Sequence, residues 1–168
     1  GKSDMPTPAD APGFTGACPV VVATSSASAS EGIDAQLIGE PRWADPQLAK
    51  TSREQGHEQA LIEAYQRQGA DLLQDLQGHF ALALVDAAKG TALLATDRLG
   101  VRPVFYAEAP GQLAFSTRAD EVARQLATMP SLSHQALYDY LYFEMIPGPD
   151  AVFEGVRRLL PGECLWLE

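Results

Sequence analysis

The chain has 168 residues, 46% of them hydrophobic, with 12 basic against 22 acidic side chains and a net charge of −10. That length fits a single domain able to fold without disulfides. The longest basic run is Arg157-Arg158 and no apolar run approaches ~20 residues, which argues against nucleic acid, an anionic membrane surface or a membrane span.

Gly1 to Gly16, rich in Pro, Ala, Asp and Gly, reads as an irregular arm without the apolar core of a secretory signal. Residues 17–168 then form the domain. The chain begins with Gly rather than Met and ends Leu167-Glu168, so a piece excised from a longer protein is expected. Cys18 and Cys164 stand too far apart for a disulfide framework or zinc signature, and read as reduced thiols of a cytoplasmic protein. Pro19–Thr24 predicts a strand, Ser25–Gly32 a loop of small residues, and Ile33–Glu40 a second strand, together a long-looped hairpin. Pro41–Gly56 is polar and interrupted by Pro41 and Pro46.

From Glu58 to Gln68 the apolar spacing is helical, with Leu61, Ala64 and Tyr65 on one face. Gly69 ends that helix, and a short second one carries Leu72, Leu73 and Leu76. His79–Val85 alternates large Phe80, Leu82 and Leu84 with small Ala81 and Ala83. A strand apolar on both faces must be covered on both. Thr91–Thr96, Val104–Ala107 and Leu113–Thr117 follow, with turns at Lys89-Gly90 and Pro110-Gly111, and predict a four-stranded antiparallel meander. Thr117 is expected to cap a helix running to about Leu126, and Ser133 another, with Leu137, Tyr138, Leu141 and Tyr142. The aromatic group Tyr138, Tyr140, Tyr142 and Phe143 reads as one packed and one solvated helix face, or as a docking face for a partner domain. A loop over Ile146–Asp150, a turn near Phe153 and a strand over Glu163–Leu167 complete the chain. An antiparallel sheet buried on both faces needs a second sheet on one side and helices on the other, hence an α+β sandwich. His79 reads as a hydrogen-bonded core residue. His57, His79 and His134 lack metal-ligand spacing, and neither a metal nor a cofactor is expected.

The segment Asp97-Arg98-Leu99-Gly100-Val101-Arg102-Pro103 resembles the D-R-L-G-(I/V)-(K/R)-P signature of the asparagine synthetase family, in its N-terminal class II glutamine amidotransferase domain. Leu76–Asp86, LQGHFALALVD, is similar to that family's LNGMFAFALWD. Tyr106, the stretch Gly111–Thr117, and Pro147, Phe153, Gly155, Val156, Leu159, Pro161 and Gly162 match further family positions in the same order. The resemblance implies the αββα sandwich of N-terminal-nucleophile hydrolases, here with an abbreviated N-terminal half. Asp97, Arg98, Gly100 and Pro103 would then be structural motif residues bracing the corner and a domain interface.

The same resemblance implies a chemistry. An N-terminal Cys attacks the amide of glutamine with its own amine as base, and an Asn side chain and a Gly amide form the oxyanion hole. An Asp holds the substrate's amino group and an Arg its carboxylate. This sequence departs at each point. Cys18 is followed by Pro19 and lies close before Gly39. Leu37–Trp43, LIGEPRW, aligns with the family's FNGEIYN, which puts Ile38 at the oxyanion-hole Asn and keeps Gly39 and Glu40. Gly56–Tyr65 aligns with SDTEVLLAAY, which puts His57 at the Asp. Arg42 and Arg53 read as surface charges rather than the carboxylate-binding Arg. The implied picture has no catalytic residue and a vestigial pocket of Ile38, Gly39, Glu40 and His57. The domain would act as scaffold for a C-terminal ATP-dependent synthetase domain, with a homodimer allowed. Two alternatives stand beside it: an active glutaminase supplying ammonia for asparagine synthesis, its nucleophile missing from these residues, and an amino-acid-binding module. The S-G-G-x-D-S motif of the family's ATP site is absent from these residues.

Overall fold

The structure, a computed structural model, describes residues 21–24, 32–109 and 112–167. The arm over 1–16, Cys18, most of the Ser25–Gly32 loop and the Pro110-Gly111 turn lie outside the described residues. The strands are β1 (Val21–Thr24), β2 (Ile33–Trp43), β3 (Leu76–Asp86), β4 (Thr91–Thr96), β5 (Phe105–Ala109), β6 (Gln112–Ser116), β7 (Arg157–Arg158) and β8 (Cys164–Leu167). The α-helices are α1 (Pro46–Gln55), α2 (His57–Gln68), α3 (Ala119–Gln125) and α4 (His134–Phe143), with a 3-10 helix over Gly69–Gln74.

Two antiparallel four-stranded sheets form, in the orders β2-β3-β4-β8 and β1-β6-β5-β7. Three apolar clusters fill the spaces between layers. Phe80, Leu82 and Leu84 of β3 pack with Leu48 of α1 and Leu61 and Tyr65 of α2. Ala81 and Ala83, on the opposite face of β3, pack with Leu94 of β4 and Tyr106, Leu113 and Phe115 of the second sheet. Ala107 and Ala114 on the far side of that sheet pack with Val122 and Ala123 of α3. The layer order is therefore helix, sheet, sheet, helix, the αββα sandwich expected for the α+β domain. The period-2 alternation in β3 sends its large side chains to the helices and its small ones to the other sheet.

Several local expectations are corrected. β1 does not form a hairpin with β2. It pairs with β6, Val21 opposite Phe115, and β2 pairs with β3 in the other sheet. Pro41 does not interrupt β2, which continues to Trp43. β2 is an edge strand, where a missing amide is tolerated. Pro46 starts a helix instead of breaking structure. It occupies the first turn of α1, and the Asp45 side chain accepts from Gln47 N at 2.7 Å. The meander is two hairpins, β3-β4 and β5-β6, in different sheets. Arg118, not Thr117, is the N-cap of α3, and Ser116 Oγ accepts from the Arg118 amide at 3.2 Å while it donates to Glu121. Ser133 caps α4 as expected, accepting from Ala136 N at 3.2 Å. Yet α4 has no packed face: of its residues Ala136 alone is buried.

The corner between β4 and β5 is where the chain leaves one sheet for the other. Asp97 stands there, 3% exposed. Its carboxylate accepts from the amides of Leu99 (2.8 Å), Phe80 and Val101 (3.2 Å each). Its own carbonyl accepts from Gly100 N at 2.9 Å and Gly162 N at 2.8 Å. Thr96 Oγ1 donates to Arg102 O at 2.8 Å, closing the turn. Gly100 has φ 61°, and a Cβ there would press on Pro161. Arg98 is exposed and Pro103 half-buried.

Asp97→Ala would leave three amides without their acceptor, at about 1 kcal/mol or more each, so a loss of at least about 3 kcal/mol is expected. Arg98→Ala should stay within about 0.5 kcal/mol. Urea unfolding midpoints measure both, and equal losses would mean that the corner is held by something other than the carboxylate.

Candidate functional site

Ile38, Gly39 and Glu40 occupy consecutive positions of β2, opposite Ala81, Phe80 and His79 of β3. The Ile38 side chain packs against the cluster between the sheets. It is a hydrocarbon and offers no donor to a developing oxyanion. Gly39 has φ 110°, and a Cβ there would collide with the His79 carbonyl. Gly78 across the ladder has φ 91° and meets the Glu40 carbonyl in the same way. Two glycines therefore let β2 and β3 approach where side chains at both positions would hold them apart. Phe80, the ladder partner of Gly39, is bonded to Asp97 through its own amide and carbonyl. Both polar main-chain groups of Phe80 thus face Asp97, and Gly39 and Phe80 form a ladder pair without hydrogen bonds between them.

The Glu40 side chain is 79% exposed and lies 3.7 Å from His79 Nε2. His79 itself is 41% exposed, a correction to its expected place in the core. The reason is positional: it lies near the end of β3, beyond the closely packed alanines. His57 opens α2 in the helical layer, and its Nδ1 meets Ser52 Oγ of α1 at 2.6 Å. Gly56, with φ 103°, makes the break between the two helices that places this pair. Of the pocket positions, Glu40 thus faces His79 across the β2-β3 ladder, and His57 is hydrogen-bonded to Ser52 of α1. Arg42 and Arg53 are exposed, and Arg53 Nε donates to Ala49 O at 3.0 Å. Cys164 is a free, exposed thiol on β8, and Cys18 lies outside the described residues. Among the described residues no three His, Cys, Asp or Glu side chains gather as a metal site would require. No helix among them is long and apolar enough to cross a membrane.

Sequence reasoning missed a buried carboxylate. Asp86, 3% exposed, ends β3. Its carboxylate accepts from Tyr65 Oη at 3.0 Å and from Lys89 N at 3.2 Å, with Lys89 Nζ at 3.2 Å. Tyr65 Oη also meets Thr91 Oγ1 at 3.1 Å. Burial alone would push the Asp86 carboxyl up, but the Lys89 ammonium and amide and the Tyr65 hydroxyl outweigh it and hold it below the usual carboxylate range. Asp86 and Lys89 line an open cavity of about 450 Å³ with Ile33, Ile62 and Gln66. Because the Asp86 oxygens are already engaged by protein donors, the group reads as a brace between α2 and the β3-β4 turn. The available signal was an Asp three residues before a Lys in a tight turn, an Asx-type pattern.

Two consequences are measurable. Gly39→Ala would strain the backbone and push it off His79, with an expected loss of about 2 kcal/mol or more in unfolding free energy. Asp86 has a folded-state pKa below its unfolded value of about 3.9. Its stabilisation is therefore present above that value and lost as pH falls through the lower one. Asp86→Asn should destabilise the protein at pH 7, and the gap to the parent should narrow as pH falls below about 4. Thermal melts across that range check it, and a constant gap would mean that the carboxylate charge contributes nothing.

The glutamine amidotransferase domain family model matches residues 45–168, which covers His57 and the Asp97 corner and begins after Ile38-Gly39-Glu40. A putative asparagine synthetase (glutamine-hydrolyzing) of Mycobacterium tuberculosis H37Rv is 30% identical over 110 residues, 64% of this chain and 17% of that protein. Asparagine synthetase B (glutamine-hydrolyzing) of Escherichia coli K12 is 40% identical over 47 residues, 28% of this chain and 8% of that protein. The amidase chyE of Penicillium rubens is 31% identical over 107 residues, 62% of this chain and 15% of its own. Among solved structures, the glutamine phosphoribosylpyrophosphate amidotransferase of Bacillus subtilis aligns with 61% of this chain and 25% of its own, at 16% identity and a TM-score of 0.40. The chain spans less than a fifth of the length of these curated relatives. With the family match extending over residues 45–168, the chain belongs to the glutamine amidotransferase domain family and is similar to asparagine synthetases.

Proposed function

We propose that this domain does not hydrolyse glutamine and that it serves as the scaffold for an ATP-dependent, amide-forming synthetase domain of the same protein. The observation that carries the reading is Ile38. At the position that the resemblance assigns to the oxyanion-hole Asn, an apolar side chain packs into the cluster between the sheets. Loss of one such donor costs ~10²–10³ in rate. The position of the Asp that would hold the substrate ammonium is His57, whose Nδ1 is engaged by Ser52. An imidazole supplies no negative charge for that ammonium. Both substitutions remove chemistry and leave the sandwich standing. Support for a synthetase neighbour comes from the relatives named asparagine synthetases, of which this domain matches 17% in the Mycobacterium tuberculosis protein.

A second reading has one observation in its favour. Gly39 keeps the glycine that would supply the backbone amide of an oxyanion hole, with φ 110°. On that reading the domain is a glutaminase that supplies ammonia, with its nucleophile outside the described residues.

Glutamate release from L-glutamine, with a Cys18→Ala control, separates the two. The expected result is no turnover above the control. Turnover that disappears in Cys18→Ala would overturn the scaffold reading and make Cys18 the nucleophile.

A further inference from the structure

We draw no further inference here: the strongest candidate, the exposed apolar face that Leu137, Tyr138, Leu141, Tyr142 and Phe143 present on helix α4, carries nothing, because nothing in the structure shows what covers it.

Discussion

Asp97 is where three separate segments of the chain meet. It takes the amide of Phe80 from β3 and the amides of Leu99 and Val101 from the corner, while the Asp97 carbonyl takes Gly162 from the segment entering β8. A buried anion is costly unless hydrogen bonds surround it, and here backbone donors do so. Backbone donors have fixed directions, so the corner has one geometry rather than several. The passage from β4 to β5, and with it the stacking of one sheet on the other, follows from that geometry. Phe80 is also the ladder partner of Gly39, so the strand against which β2 lies is fixed at the corner.

This arrangement separates what shapes the domain from what would have done its chemistry. The bonds that Asp97 makes involve main-chain atoms, which no substitution at Ile38 or His57 disturbs. Ile38 contributes to the cluster between the sheets, and His57 ties α2 to α1 through Ser52. Ile38 thus serves packing, and His57 helix placement. On the reading proposed above, the corner persists without hydrolysis, because the bonds that hold it involve neither Ile38 nor His57.

The sequence made the layered plan readable because β3 states it in one line. Phe80, Leu82 and Leu84 against Ala81 and Ala83 demand apolar cover on both faces, and the D-R-L-G corner identifies the family. What stayed hidden depends on long-range context. Whether β1 pairs with β2 or β6 is decided by which edge is vacant, not by the composition of either strand. Pro41 is permitted by the edge position of β2, and Pro46 by the Asp45 cap, and a residue-by-residue reading counts both as breaks. The pairing of Ser52 with His57 depends on how Gly56 turns one helix into the next. The apolar stripe of α4 looks like any core-facing helix until the structure leaves it uncovered.

The alternation in β3 and β4 also has a consequence for how this domain tolerates change. Toward α1 and α2 the sheet presents Phe80, Leu82, Leu84 and Leu93, and toward the other sheet Ala81, Ala83 and Ala92 beside Leu94. Interiors are packed to crystal-like density, so loss and gain of volume are both resisted. On the helical side the damaging changes are truncations, which open cavities. On the inter-sheet side they are enlargements, which force apart two layers that cannot yield independently. A single strand thus carries two opposite rules of substitution in alternate residues, and lineages of this domain should drift toward smaller side chains on one face and larger ones on the other only at the expense of the sandwich.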